Sequence, residues 1–296
     1  MRRLATLILA LAAVAAGAGW FLSAPRPYAP ATFAGSTGNA QRGEAVFHAA
    51  GCASCHHAPG ATGEAKLILA GGQRFPSDFG TFTAPNISPH PAAGIGGWSV
   101  ADLGNALMAG VSPDGRHYYP AFPYTAYVRM TPGEVADLHA FLMTLPPDAT
   151  PSAPQAVGFP FSIRRGIGLW KRLYLDPTPV ITESLPEPAA RGRHLVEALG
   201  HCGECHTPRD RFGGLDRARW LAGAPNPAGQ GRIPNITPAA LTWSEAEIAS
   251  YLETGFTPDF DVVGGHMAAV VENFARLTEA DRLAVAAYLK RVPAVP

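Results

Sequence analysis

Cysteine is scarce in this chain: 296 residues hold only four. All four fall within two short motifs, so none is left over for a structural disulfide. Charge is sparse as well, at 16% of residues with a formal net charge of zero. Nothing therefore marks nucleic acid or an acidic polymer as a partner. No segment sustains the alternation of apolar and polar residues that a half-buried sheet requires, which argues against a β architecture. Methionine is rare too, with five in all, so the candidates for a thioether ligand can be taken one by one. Glycine and proline, by contrast, are abundant at 32 and 29, as expected of small helical domains whose functional crevices are lined by loops.

The cysteines stand in Cys52-Ala53-Ser54-Cys55-His56 and in Cys202-Gly203-Glu204-Cys205-His206. C-x-x-C-H is the spacing of c-type haem attachment: two thiols on one helical turn take up the vinyl groups, and the next residue reaches the iron. A zinc site or a thioredoxin-like pair would account for the cysteines and leave the paired histidines unexplained. Zinc ribbons also bring their C-x-x-C halves within roughly 15 to 20 residues of each other, and these are far apart. Two covalently bound haem c groups are therefore expected, with His56 and His206 as iron ligands. Because bacteria attach haem outside the cytoplasmic membrane, the chain is expected to be exported.

Residues 1–22 meet that expectation. Arg2 and Arg3 precede an uncharged run from Leu4 to Leu22, close to the ~20 residues a spanning helix needs. Trp20 and Phe21 stand where aromatics anchor an outer interface. Cleavage after small residues around Ala16-Gly17-Ala18 is the alternative; an uncleaved anchor is expected on length. Residues 23–38, with Pro25, Pro27 and Pro30, read as a tether.

Two similar halves follow, assigned to 39–146 and 187–296. In the first, a helix over Gln41–Ala50 leads through Gly51 into the motif, and His57 beyond it reads as a solvent-side residue. Leu69-Ala70-Gly71-Gly72 and Pro85-Asn86-Ile87-Ser88-Pro89 come next. Ser99 with Asp102 and Thr131 with Glu134 form capping boxes that open helices to about Ala109 and Leu145. In the second half Leu221-Ala222-Gly223-Ala224, Pro234-Asn235-Ile236-Thr237-Pro238 and the box of Ser244 with Glu247 recur in the same order. Thr278 with Asp281 opens a last helix to Lys290. This internal duplication predicts an all-α fold of two tandem class I cytochrome c domains. Between them, 147–186 form a linker in which Arg164, Arg165, Lys171 and Arg172 alternate with aromatics. That pattern suits either an interdomain helix or contact with anionic headgroups or an acidic protein rim.

Electron-carrying c haems usually take methionine as the sixth ligand, since a soft thioether favours Fe(II). In the second half Met267 is the expected ligand, with His266 as its rival. The corresponding first-half loop, from His117 to Tyr124, has no methionine. Met130, just before the Thr131 cap, is taken as the ligand there, the alternative being a residue that packs on the helix start. Met108 and Met143 fall inside helices and read as core.

The runs from Gly80 to Ser99, from Gly110 to Tyr124, from Phe159 to Trp170 and from His201 to Arg209 together resemble the cytochrome c subunits of membrane-bound bacterial dehydrogenases. Those are the haem subunits of alcohol, aldehyde and gluconate dehydrogenase complexes. The resemblance implies a subunit that takes electrons from a flavin- or quinone-cofactor catalytic partner and passes them to ubiquinone, an oxidase or a downstream cytochrome. Family members commonly carry three C-x-x-C-H motifs where two occur here, and many have methionine where this chain has Phe122. The expected function is thus a diheme electron carrier, held at the periplasmic side of the inner membrane by its N-terminal helix, with substrate chemistry left to the partner. The alternative is a diheme peroxidase-like enzyme whose first haem is left open at Phe122. An open first haem that senses a gas has no further support.

Overall fold

The computed structural model describes residues 1–226, 229 and 231–296. Helix α1 spans Arg2–Leu22 and buries none of its residues against the rest of the chain. The first domain consists of α2 (Ala40–Ala49), α3 (Cys52–His56), α4 (Val100–Gly104, continued by a π turn over Asn105–Ala109), α5 (Tyr124–Tyr127) and α6 (Pro132–Leu142). Helix α7 (Arg165–Tyr174) lies in the linker. The second domain repeats the order with α8 (Ala189–His194, continued by a π turn over Leu195–Leu199), α9 (Gly203–His206), α10 (Glu245–Thr254), α11 (Met267–Phe274) and α12 (Glu279–Leu289).

In each domain the first helix crosses the last, and a glycine makes the crossing possible. A Cβ on Gly43 of α2 would lie 1.9 Å from the Asp137 carbonyl oxygen of α6, and one on Gly192 of α8 would lie 1.8 Å from that of Ala284 in α12. The two helices of each pair therefore touch backbone to backbone. Each crossing is pinned by an arginine of the first helix on an aspartate of the last, one turn apart in the two domains. Asp137 accepts from the Asn39 amide at 2.7 Å and from Arg42 Nε at 2.7 Å, and Asp281 accepts from Arg191 Nε at 2.9 Å.

The capping boxes form as read. Ser99 with Asp102, Thr131 with Glu134 and Ser244 with Glu247 each satisfy two end amides reciprocally. At α12 the Thr278 hydroxyl accepts from the Asp281 amide, while the Asp281 carboxylate turns to Arg191.

Four features differ from the sequence expectation. The first is that the fold is helix-rich without being purely helical. Strand β1 (Arg74–Ser77) pairs antiparallel with β2 (Gly80–Thr83), β2 pairs with β3 (Ala156–Val157), and β4 (Ala224–Pro225) pairs with β5 (Arg232–Ile233). At two to four residues each, these strands are too short to carry a readable alternation. The second concerns α6, which ends at Leu142 and not near Leu145. Third, the linker's proline-rich start folds back on the first domain: β3 edges β2, and Asn86 Nδ2 donates to the carbonyls of Asp148 and Thr150, both at 2.8 Å. Finally, the segment read as a tether packs along that domain as well. Phe33 is buried against Gly104, and the Tyr28 amide donates to Asn105 Oδ1 at 2.6 Å.

Candidate haem sites

Each attachment turn is held by the same set of contacts. His56 Nδ1 is 2.8 Å from the carbonyl oxygen of Pro85, and His206 Nδ1 is 2.8 Å from that of Pro234. An oxygen acceptor there fixes the proton on Nδ1 and leaves the Nε2 lone pair for a metal. Burial holds both imidazoles below their ordinary pKa range, and the hydrogen bond offsets this only in part. Both rings are consequently neutral near pH 7, as an iron ligand must be.

The carbonyls reach the rings because the glycine-rich loop lies directly under the proline segment. Gly71 donates its amide to the His56 carbonyl at 2.7 Å, and Gly223 does so to His206 at 2.7 Å. Their φ angles are +73° and +80°, and a Cβ on either would come within 3 Å of the proline-segment backbone. Leu69 and Leu221 then accept from the Ile87 and Ile236 amides, each at 3.0 Å. Asn86 and Asn235 brace the segment behind: their Oδ1 atoms accept from the Ser88 and Thr237 amides at 2.8 Å, and Asn235 Nδ2 donates to the Val295 carbonyl at 2.7 Å.

None of the four cysteines pairs with another in a disulfide. Loss of solvent pushes Cys52 and Cys202 up to about 12, which is the reverse of what a reactive dithiol needs. Among the described residues no group of three or more His, Cys, Asp or Glu side chains is placed to hold a metal ion. The zinc and thioredoxin readings lose their support on those two points. Two thiols on a turn, with a neutral histidine directed by a carbonyl, fit a covalently attached haem in both domains.

A cytochrome c family model matches residues 40–146 and again 189–293. The chain belongs to the cytochrome c family. Over 295 residues, the whole of both chains, it is 57% identical to a diheme cytochrome c-type protein of Cereibacter sphaeroides. It is also 38% identical over 260 residues to the fructose dehydrogenase cytochrome subunit of Gluconobacter japonicus, covering 86% of this chain and 52% of that one. With the cytochrome c subunit of the quinone-type alcohol dehydrogenase of Gluconobacter oxydans the identity is 35% over 269 residues, covering 86% and 55%. The chain thus spans about half the length of those two dehydrogenase subunits. Two cytochrome c domains in a diheme cytochrome c carry two covalently attached haem c groups.

The methionines fall as follows. Tyr118 donates to the Gly110 carbonyl at 2.8 Å, and Val263 to that of Gly255 at 2.8 Å, which sets the two distal loops in register. Four residues on stand Phe122 and Met267. Met267 is not in a loop before the last helix, as its sequence context implied; it is the first residue of α11, and α12 follows. Phe122 joins a ring cluster with Tyr118, Tyr124 and Tyr127 at centroid distances of 5.7, 6.3 and 5.9 Å. Met130 is 3% exposed and directly precedes the α6 cap. Met108 is buried in the π turn after α4, and Met143 caps α6. His57 is half-buried, not solvent-side, with its Nδ1 3.1 Å from Gln73 Nε2.

Nothing in either motif shows that each attachment turn sits against a helix of the other domain. Tyr127 donates to the carbonyl of Ala50, two residues before Cys52, at 3.0 Å, and its ring meets that of His201, next to Cys202, at 5.8 Å and 78°. Thr125 donates to Glu204 Oε1 at 2.5 Å, and Asn273 of α11 donates to Ser54 Oγ at 2.9 Å. Each residue looked ordinary in its own motif, and only the docking of the domains makes them neighbours. The linker holds that docking. Buried Glu197 accepts from the Val180 amide at 2.6 Å and from the Tyr288 hydroxyl at 2.5 Å, and Arg129 donates to the carbonyls of Thr178 and Asp176, both at 3.0 Å.

Proposed function

We propose that this diheme cytochrome takes electrons from a dehydrogenase catalytic subunit at the periplasmic face of the inner membrane and hands them to a respiratory-chain acceptor. The observation that carries this reading is that each attachment turn is touched by a helix of the other domain, through Thr125 with Glu204 and Asn273 with Ser54. Two one-electron groups held close in one chain let an electron enter at one domain and leave from the other, which is what a carrier between a donor and an acceptor does. Haem bound at each turn supplies a one-electron couple. The protein's own share is to fix the histidine tautomers through Pro85 and Pro234, to keep the two turns together, and to exclude water with the cores around Phe47 and Leu199. The cytochrome subunits of fructose, alcohol and gluconate dehydrogenases among its relatives support a dehydrogenase as donor.

In this reading Met267 and Met130 provide the sixth ligands. Met267 sits at the start of a helix whose Asn273 reaches the neighbouring attachment turn, and Met130 is buried on a segment whose Tyr127 already touches Ala50. Helix α1 stays in place as the membrane anchor; its length and fully exposed apolar surface support that role.

Membranes from cells with and without the protein test the function. Oxygen consumption driven by one sugar, alcohol or aldehyde substrate should disappear with the chain, while reduction of an artificial dye by the same substrate persists. Undiminished oxygen consumption on every such substrate would refute the role.

A further inference from the structure

Helix α7 is tied to the outer end of α1. Arg165 lies over the Trp20 ring at 4.0 Å, donates to the Trp20 carbonyl at 2.7 Å and to Ser23 Oγ at 3.0 Å. Arg172 donates to the Leu22 carbonyl at 2.6 Å, and His117 Nε2 is 2.9 Å from that of Ser23. The carbonyls left over at the end of the helix are thereby satisfied by two arginines and a histidine. Gly168 permits the approach, since a Cβ there would lie 2.1 Å from the Ser23 oxygen.

Sides of α7 differ sharply. Gly168 and Lys171 face inward and are buried. Leu169, Arg172 and Leu173 face outward, and Leu173 is 72% exposed. The outward face continues onto neighbouring loops. Trp170 Nε1 donates to the Phe212 carbonyl at 2.9 Å. Phe79, at the tip of the β1–β2 hairpin, lies beside Gly213 and meets the Phe161 ring at 4.9 Å. Phe159, Phe161, Ile163 and Phe212 are all exposed. Exposed charges on this surface are mainly basic, Arg172 and Arg211, with half-buried Arg164 and Arg165 at its edge. Of its acids, Asp210 is engaged by the Tyr174 hydroxyl at 2.6 Å and Asp78 stands at the hairpin tip.

We propose that this surface, formed by the outward face of α7, the β1–β2 hairpin tip and the Phe212 loop, rests on the bilayer, with its leucines and phenylalanines among the acyl chains and its arginines at anionic headgroups. The proposal rests on the reading of α1 as a retained anchor, because α1 brings the bilayer to this place: Trp20, at the interface end of α1, is the residue on which Arg165 stacks. Contiguous apolar exposure of this kind marks an interaction site, and arginines alternating with leucines on one helix face suit a lipid interface. The cytochrome would then be held at two places, by a spanning helix and by a surface helix, with a fixed orientation to the membrane.

The test uses full-length, haem-loaded protein in nanodiscs of phosphatidylcholine with an equal part of phosphatidylglycerol, carrying a photoactivatable diazirine on the acyl chain. Mass spectrometry should find label on α1 and on Phe161, Leu169 and Leu173, and none on Phe260, which is 86% exposed in the second domain. In Leu169→Glu/Leu173→Glu, with both substitutions at exposed positions and the haem spectra as control for folding, label at Phe161 and Phe212 should fall severalfold while that on α1 stays. Label on α1 alone would overturn the surface and spare the anchor. Label on neither would overturn both. Cross-links from Leu169 or Leu173 to a second copy, without lipid label, would assign the face to self-association and overturn the proposal.

Discussion

As the proposed iron ligands, His56 and His206 are oriented by residues outside their own motifs. Each ring is directed by a proline carbonyl, and behind that carbonyl an asparagine side chain joins the segment to the chain that follows its domain's last helix. Replacing Asn86 with Ala removes three hydrogen bonds in a buried place. It should cost about 2 kcal/mol, to be read as a lower denaturation midpoint of the haem-loaded protein. Replacing Met267 with Ala should abolish one sulfur-to-iron charge-transfer band and lower one of the two potentials, since the thioether that favours Fe(II) is lost; an unaltered titration curve would assign the ligand elsewhere. Lys171 is a different kind of residue. It is buried, donates to the carbonyls of Ala109 at 2.7 Å and Gly110 at 2.5 Å, and is pushed down to about 7 by loss of solvent. Between about 7 and the ordinary 10.5 the unfolded chain holds this proton and the fold does not, so stability rises with pH across that window. The full cost of the buried charge is present below about 7. In Lys171→Met that rise should vanish from a denaturation series between pH 7 and 10, whereas a slope equal to that of the wild type would show that Lys171 stays charged in the fold.

At the scale of elements, the duplicated chain repeats one device, a glycine at a helix crossing. Alanine at Gly43 gains about 1 kcal/mol in helix propensity yet places its Cβ 1.9 Å from a backbone oxygen. Gly43→Ala should therefore destabilise the first domain by about 1 to 3 kcal/mol, and Gly192→Ala the second alike; thermal unfolding followed at the haem bands checks both. These glycines also show which features can be read from sequence. The four helix starts at Ser99, Thr131, Ser244 and Thr278 are legible because a capping hydroxyl and its partner lie three residues apart. The Cys-x-x-Cys-His turns are legible for the same reason. Strand β3 is not, because Ala156 and Val157 become a strand only through β2, far away in sequence. Nor are the π turns after α4 and α8, where an ordinary helical pattern takes in one more residue per turn. Lys171 reads as a solvated charge among basic neighbours, and its burial follows from the docking of α7 on Gly110.

At the scale of the whole molecule, two modules that each resemble a complete cytochrome are joined so that each attachment turn meets a helix of the other module. The linker strapped over Glu197, the Glu134 carboxylate 2.7 Å from His194 Nε2, and Asn273 on Ser54 keep them together. Such a molecule passes electrons and binds no substrate at iron only if both irons are closed by side chains. Phe122 stands where the second domain has Met267, so the first domain is where that requirement is decided, and Met130 is the residue assigned to meet it. The direct measurement is carbon monoxide titration of the fully reduced, full-length protein at neutral pH. The wild type is expected to bind none, and Met130→Ala is expected to bind one equivalent at one haem. One equivalent bound rapidly by the wild type, together with turnover of peroxide, would contradict the assignment of this chain as an electron carrier alone.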